Sequence, residues 1–296
     1  MSKTSLTEIF ELLKLKEKLE LEEKKFIEKY FKKIIVDYKL REKILLVCEA
    51  VRNKFKTNLE WIGYLLGDEN YIIKDFYIPY QIVSKAYVTE DPNYAGQNLV
   101  EIEDLLNKTG LKLVGWIHSH GDMDVFHSGI DNANTYSLVR FIGMYSKKEI
   151  LRLDESPRRI KRVYCDGNSI VVEGDKTLIR LDINVPKELI RVLLNRRILS
   201  INRDSEKIAS SIIALLLNYT KWTFLKKIWI APVYSIVTNA KLDFYGEIWR
   251  FDSEKTPERV AQGDIIEFVR TPASITIDEE EIRSEVKRKI RRKRVI

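Results

Sequence analysis

The chain has little cysteine and little histidine. It contains two cysteines and three histidines in 296 residues. Cys48 and Cys165 are too few and too far apart to provide a disulfide framework or a metal site of their own. Cys48 lies in an apolar helical pattern and is predicted to be a buried structural thiol. A small secreted protein held together by disulfides is therefore excluded.

Long apolar runs are also absent. The longest, Ile212 to Leu217 with its flanks, is too short to cross a bilayer. Residues 1–40 alternate charged and apolar positions, so we expect no amino-terminal signal and no membrane association. With 45% hydrophobic and 32% charged residues, the chain is too apolar for disorder and can bury one or two cores. The composition favours a cytoplasmic globular protein.

Positive charge is concentrated near the carboxyl end. The formal net charge is +7, and seven basic residues fall within the eight positions 287–294. Such a run can bind nucleic acid or an acidic surface by releasing counterions, or it is the solvated end of a helix. The sequence favours neither interpretation. Because it indicates no nucleic-acid-binding fold and no interleaved aromatic series, any such binding is expected to be salt-sensitive and nonspecific.

All three histidines fall between positions 118 and 127. His118 and His120 close a short apolar run, 111–117, that is predicted to be a buried strand. Side chains two apart on a strand point to the same face, so both imidazoles would project into one site. A helix is predicted to begin at Ser128, which shares the inner face of its first turn with Asp131. Two imidazoles and one carboxylate leave a fourth tetrahedral position for water, as in catalytic zinc sites.

Each of these features also has a purely structural interpretation. A His-x-His pair on a strand is commonly part of a hydrogen-bonded core, and Ser128 with Asp131 fits a helix start in which serine caps the helix. Glu60 stands immediately before a predicted apolar strand, 61–66. It is interpreted either as the solvated start of that strand or as a general base. Their occurrence in one chain favours a hydrolase, because water activation needs a base near the metal.

Together, the two segments resemble the JAMM (MPN+) metalloprotease family, in particular its prokaryotic, archaeal or viral branch. The family pattern is Glu-x-x-Gly-x-Leu-x-Gly, then His-x-His, seven residues and Ser-x-x-Asp, and every position is filled between Glu60 and Asp131. Two neighbouring positions depart from it. Gly121 replaces a proline and is predicted to make its loop more flexible. His127 replaces an apolar residue and is interpreted as a support for the ligands or, in preference, as a surface residue.

The resemblance implies a role for each residue. His118, His120 and Asp131 are the expected ligands of one zinc ion per chain. Glu60 is the expected general base and proton shuttle, and Ser128 the expected oxyanion donor. The implied reaction is hydrolysis of an amide bond in a protein substrate, such as a ubiquitin-like conjugate, with small-molecule amides as an alternative. Two rival functions are a noncatalytic MPN-type scaffold and a nucleic-acid-associated accessory protein that uses the basic tail.

The resemblance also implies an α/β fold of cytidine-deaminase-like type, a mixed β-sheet flanked by helices (the JAB/MPN fold). The catalytic domain is expected over residues 39–145, completed by a returning hairpin at 229–254. An amino-terminal helical extension covers 1–38, an inserted α+β subdomain covers 146–228, and a carboxyl-terminal extension covers 255–296.

Hydrophobic periodicity predicts the individual elements. Helices are predicted over 5–38, 40–55 and 94–107, and strands over 61–66 and 71–79. The first helix carries an apolar stripe that must pack on another surface. The favoured surface is the catalytic domain, and the alternative is a partner. A meander over 160–183 is the alternative to the hairpin at 229–254. The insertion, with an apolar helix over 205–219, is either a lid or a passive elaboration.

Overall fold

The computed structural model describes residues 3–154, 160–166, 169–174, 178–182, 224–272 and 276–293. The chain divides into two compact units, Met1–Leu12 with Arg152–Lys226 and Leu13–Leu151 with Lys227–Ile296. The elements in chain order are α1 (Lys3–Tyr30), β1 (Ile34–Asp37), α2 (Tyr38–Phe55), β2 (Trp61–Gly67), β3 (Ile73–Tyr77), β4 (Gln81–Val83), β5 (Val88–Glu90), α3 (Ala95–Thr109), β6 (Lys112–Ser119), α4 (Gly129–Ser146), β7 (Lys148–Asp154), β8 (Ile160–Asp166), β9 (Ser169–Gly174), β10 (Leu178–Asp182), β11 (Phe224–Thr238), β12 (Phe244–Asp252), β13 (Glu258–Gly263), β14 (Ile266–Val269), α5 (Glu279–Lys289) and β15 (Ile290–Arg292).

The larger unit is built on a mixed sheet of nine described strands. The order is β13-β12-β11-β6-β2-β3-β1-β14, and β7 also pairs with β11. Strand β6 runs antiparallel to β2 and parallel to β11, so it has hydrogen-bonded neighbours on both sides. At one edge β1 runs parallel to both β3 and β14. The mixed α/β class predicted from the sequence is therefore confirmed.

Helices cover both faces of this sheet because each face is apolar. On one face, Ile44 of α2 and Val286 of α5 share a core with Ile117 of β6. On the other, Val139 of α4 packs in a second core with Trp116 of β6. Alternation along β6 thus sends successive side chains into two different cores. Among the described residues, no helix is long and apolar enough to cross a membrane.

The first helix is shorter than predicted. Helix α1 ends at Tyr30, and Ile34–Asp37 forms a strand, so the prediction of one helix over 5–38 is wrong at its end. Consecutive β-branched residues favour a strand when parallel neighbours such as β3 and β14 are present. Phe26 and Phe31, from the predicted apolar stripe, are buried in the same core as α2.

The later of the two candidate hairpins lies beside the histidine strand. Tyr234–Thr238 of β11 pair in parallel with Gly115–Ser119 of β6, and β12 returns antiparallel to β11. The meander over 160–183 forms a separate three-stranded sheet in the order β10-β9-β8. Strands β13 and β14, from the expected carboxyl-terminal extension, add to the main sheet. The helix predicted over 205–219 lies outside the described residues.

The basic segment is folded rather than free over residues 287–293. It forms the last turn of α5 and strand β15, which pairs in parallel with β4. The interpretation as a solvated helix end is wrong for Lys289, which is 2% exposed and lies 2.8 Å from Glu101 and 2.7 Å from Glu285. The other five cations of 287–293 are exposed, and Arg294 lies outside the described residues.

Close pairing of β6 and β11 requires glycine at position 115. A Cβ there would lie 2.1 Å from the carbonyl oxygen of Tyr234, so the strands would have to move apart. We expect Gly115→Ala to lower the free energy of unfolding by about 3 kcal/mol, as measured by urea denaturation. Gly96→Ala is the matched control, because open space surrounds Gly96 at the start of α3. If Gly115→Ala were as stable as the wild type, the close approach of β6 and β11 would be contradicted.

Candidate metal centre

His118 and His120 lie where β6 ends. Their side chains are 2% and 5% exposed. Ile62 of β2 lies opposite His118, and continuing that register places Glu60 opposite His120. Because alternate residues of a strand share a face, Glu60 lies on the same face of the sheet as both imidazoles.

Ser128 and Asp131 form a reciprocal cap at the start of α4. The Ser128 hydroxyl accepts a hydrogen bond from the Asp131 N–H at 3.2 Å, and Asp131 Oδ2 accepts one from the Ser128 N–H at 2.8 Å. This capping box fixes the Asp131 carboxylate relative to the helix. The helix-start and ligand interpretations of these residues are therefore compatible.

The three predicted ligands converge. The Nε2 atoms of His118 and His120 are 3.2 Å apart, and they lie 3.4 Å and 3.6 Å from Asp131 Oδ1 and Oδ2, respectively. Tetrahedral coordination with metal–ligand bonds of 2.0–2.1 Å would separate the donor atoms by about 3.3 Å. Both imidazoles are buried and the carboxylate is half-buried, so this group can hold a metal ion.

The surroundings of the two imidazoles orient their rings, and at His120 they also favour one tautomer. His120 Nδ1 lies 3.0 Å from the Asp124 carbonyl oxygen, which accepts a hydrogen bond from the Nδ1–H tautomer and leaves the Nε2 lone pair available to a metal ion. His118 stacks on Trp116 with ring centroids 4.5 Å apart. The Trp116 indole N–H in turn donates to Thr135 Oγ1 at 3.1 Å. Stacking and hydrogen bonding thus orient both rings toward Asp131.

The electrostatics of the group favour a positive charge between these side chains. Burial lowers the pKa of His118, so its ring is neutral near pH 7. Burial opposes protonation of His120 as well, but Asp131 and the Asp124 carbonyl raise its pKa above the ordinary value. Burial likewise opposes ionisation of Asp131, yet the hydrogen bonds to the two imidazoles hold its pKa well below the usual range. Two imidazoles beside an ionised carboxylate can therefore hold a cation.

Glu60 has the properties expected of a base that works near neutral pH. Its side chain is 8% exposed, and its backbone N–H donates to the Ser84 carbonyl at 3.1 Å. The pKa of the carboxyl is raised to about 7, mainly by burial; His120 lowers the pKa and Asp131 raises it, and both effects are smaller than that of burial. A pKa near the working pH is the most effective value for general acid–base catalysis.

His127 is buried, so its interpretation as a surface residue is wrong. Its side chain is 1% exposed, with Nε2 at 3.3 Å from Ser235 Oγ and Nδ1 at 3.7 Å from Glu247 Oε2. Burial and the neighbouring His118 lower its pKa to about 3, so the ring is neutral. The imidazole packs edge-on to His118 with centroids 5.6 Å apart. His127 therefore supports a ligand ring.

Glu247 completes this buried polar group and was not predicted. Its carboxylate accepts hydrogen bonds from the Trp249 indole N–H at 2.8 Å and from Arg259 at 2.7 Å. The available signal was one charged residue within the otherwise apolar first part of β12, residues 244–249. Its pairing with His127 depends on the return of β11 and β12 to β6, which no local pattern predicts.

Replacing His127 should test this support. We expect His127→Leu, which restores an apolar residue, to lower the free energy of unfolding by about 1–3 kcal/mol, because Ser235 loses one of its two side-chain partners and Glu247 loses one polar neighbour. Chemical denaturation measures the change. Tyr136→Leu, at an exposed position of α4, is the control. Unchanged stability in His127→Leu would show that the buried contacts contribute nothing.

Gly121 has a left-handed backbone conformation, and both of its backbone polar groups are hydrogen-bonded. Its φ is +59°, a left-handed conformation that proline cannot adopt. Its N–H donates to Ser119 Oγ at 3.1 Å, and its carbonyl accepts from Ala240 at 2.8 Å. The backbone conformation at this position favours glycine, and the more flexible loop stays a prediction.

The chain matches no protein-family model and no curated protein. The candidate metal centre is thus described by its own residues alone: two histidines and an aspartate that converge, a buried glutamate on the same face, and a capping serine.

Proposed function

We propose that this chain is a zinc-dependent metallopeptidase or isopeptidase of the JAMM (MPN+) type, with a JAB/MPN catalytic domain. The observation that carries the proposal is the convergence of His118, His120 and Asp131 at tetrahedral spacing. Imidazole suits zinc better than magnesium or calcium, which prefer oxygen ligands. Three protein ligands with a fourth position for water are typical of catalytic zinc sites.

When bound, zinc would act as a Lewis acid toward the amide carbonyl and would lower the pKa of a water molecule toward 7. Glu60 accepts the proton of the attacking water at its carboxylate and then delivers it to the leaving amine nitrogen. A pKa of about 7 suits both directions of transfer, because the group can hold and release a proton near neutral pH.

Ser128 stabilises the oxygen on which negative charge develops. As a helix cap, its hydroxyl oxygen accepts from the Asp131 N–H, so the hydroxyl proton can be donated elsewhere. A donor aimed at a developing oxyanion contributes about 3 kcal/mol to the transition state. One serine thus orients a ligand and supplies an oxyanion donor.

We propose a protein substrate, such as a conjugate of a ubiquitin-like modifier. Apolar side chains border the ligands: Met123 is 41% exposed, Phe126 is 49% exposed and Ile130 is 69% exposed. The Phe126 ring lies 5.1 Å from the His120 ring, so this apolar border reaches the metal centre. Exposed apolar residues grouped beside a site are typical of protein recognition.

Metal analysis and a substrate panel test the proposal. We expect about one zinc per purified chain and cleavage of at least one ubiquitin-like conjugate, lost with a chelator and restored by added zinc. Protein that remains metal-free after incubation with zinc would overturn the proposal and favour the noncatalytic scaffold. The protein could instead bind zinc and hydrolyse small amides but none of the conjugates in the panel. That result would support zinc-dependent amide hydrolysis and would reject a protein substrate.

A further inference from the structure

A group of exposed cations lies where the carboxyl ends of two helices meet. We call it the basic face, and it consists of Lys54, Lys287, Arg288, Arg291, Arg292 and Lys293. Lys54 comes from the last turn of α2, and the others come from the end of α5 and from β15 with the residue after it. The basic run of the sequence is therefore extended by a cation distant in the chain.

The backbone holds this face together. Lys54 Nζ donates to the carbonyl oxygens of Val286 at 3.2 Å, Lys287 at 2.7 Å and Ile290. Carbonyl groups at a helix end carry partial negative charge, which explains why a cation is stable there. Burial, together with the nearby Arg291 and Lys287, lowers the pKa of Lys54. These positive groups are therefore close enough to repel one another.

Carboxylates neutralise only part of the charge. Glu101 and Glu285 are both engaged by the buried Lys289, and Arg288 reaches Glu101 at 3.7 Å. Arg291 lies 3.9 Å from Asp91. Within the described part of the chain, Lys287, Arg292 and Lys293 form no ion pair. An excess of exposed positive charge remains, as polyanion-binding surfaces require.

Tyrosines lie among these cations, although none is near them in the sequence. Arg291 stands over the ring of Tyr94 at 4.9 Å, and Tyr94 stacks on Tyr80 at 4.4 Å. Lys293 stands over Tyr87 at 5.5 Å, and Tyr87 is 47% exposed. Pairing of β15 with β4 brings the tyrosines of 80–94 beside the basic run. The interleaving of basic and aromatic residues that the sequence lacks is thus created by the fold.

The basic face also borders the metal centre. The Lys293 N–H donates to the Val83 carbonyl at 3.0 Å, and the carbonyl of the next residue, Ser84, accepts from the Glu60 N–H at 3.1 Å. A polymer bound along β15 would therefore be separated by β4 from the backbone of Glu60, which precedes β2.

We propose that the basic face binds single-stranded nucleic acid, with phosphates on its cations and an unpaired base against Tyr87. An acidic protein would use the cations but would gain little from an exposed ring, whereas every base has a face that stacks on aromatics. A duplex keeps its bases stacked within the helix and cannot use Tyr87 in this way. This binding is separate from the proposed hydrolysis and needs no metal.

Fluorescence anisotropy with a labelled 20-nucleotide single strand tests the proposal in the full chain, with chelator present. We expect binding that weakens steeply with salt and is tighter for the single strand than for a 20-base-pair duplex or polyglutamate. Lys287→Gln/Arg292→Gln/Lys293→Gln should weaken binding about a hundredfold at 0.1 M salt and reduce the logarithmic salt slope by about 2. Tyr87→Leu should weaken it about tenfold with an unchanged slope.

Matched controls separate a local surface from net charge. Lys24→Gln/Lys108→Gln/Lys241→Gln removes the same charge from exposed positions elsewhere, and Tyr136→Leu removes an exposed ring from α4. Both should bind as the wild type does. Equal losses in the two triple variants, no binding at low salt, or tighter binding of duplex or polyglutamate would each overturn the proposal. None of these results bears on zinc content or amide hydrolysis.

Discussion

The His118→Ala variant is expected to bind zinc about a hundredfold to a thousandfold more weakly than the wild type. Structural zinc sites with four ligands are worth about 10–16 kcal/mol, so one ligand contributes about 2.5–4 kcal/mol. Asp131→Asn should weaken binding similarly, because an amide carries no charge, while its oxygen can still accept from the Ser128 N–H and preserve the helix cap. Competition with a chromophoric chelator measures both affinities.

The control for this loss is Asp124→Asn. Asp124 lies in the same loop, but the atom that contacts His120 is its backbone carbonyl, which the substitution leaves in place. Its zinc affinity should match that of the wild type. Full zinc occupancy in His118→Ala at concentrations that just saturate the wild type would reject His118 as a ligand.

The Glu60→Gln variant should keep its zinc and lose turnover. An amide of the same shape cannot accept the proton of the attacking water, so kcat should fall by about a hundredfold to ten-thousandfold. The wild type should also lose activity as the pH falls through about 7, because the carboxyl becomes protonated. Steady-state kinetics on a substrate from the panel, with zinc measured in parallel, provides the test. Unchanged hydrolysis would assign the base to another residue.

The same substitution should make the chelated protein more stable at alkaline pH. Burial raises the pKa of Glu60 from the ordinary 4.5 to about 7, so the folded state retains a proton that the unfolded state has released. The contribution of Glu60 to the free energy of unfolding therefore falls as the pH rises from about 4.5 to 7. Glutamine does not titrate. The free energy of unfolding of Glu60→Gln, relative to that of the wild type, should therefore rise by up to about 3 kcal/mol between pH 5 and pH 8. Urea denaturation at the two pH values measures this gain, and a loss would contradict the burial of the carboxyl.

The convergence of the two histidines with the aspartate was predictable because its signals are local. His118 and His120 stand two apart at the end of an apolar run, and Ser128 and Asp131 stand three apart at a helix start. Strand and helix geometry converts each spacing into a shared face. The bounds of β2 and α2 follow from equally local patterns.

What sequence reasoning missed depends on contacts between distant segments. Ile34 to Val36 continue a helical period, yet they form a strand because β14 lies 230 residues further along the chain to pair with them. His127 gives no local sign of burial, because the groups around it come from β11 and β12. Lys289 belongs to a charge run, and only Glu101 and Glu285 explain why it is buried. Local periodicity cannot predict such pairings.

The central position of β6 predicts which parts of the candidate metal centre are rigid and which are mobile. Amide groups bonded to neighbours on both sides exchange with solvent only when most of a domain unfolds, whereas helix ends exchange by fraying. The backbone that carries the two imidazoles should therefore be among the slowest to exchange deuterium, even with chelator present. The first turn of α4, which carries Asp131, should exchange faster and become protected when zinc binds. On this expectation the strand end that carries His118 and His120 is rigid before metal binds. Metal binding would then order the first turn of α4, which carries Asp131, against that strand.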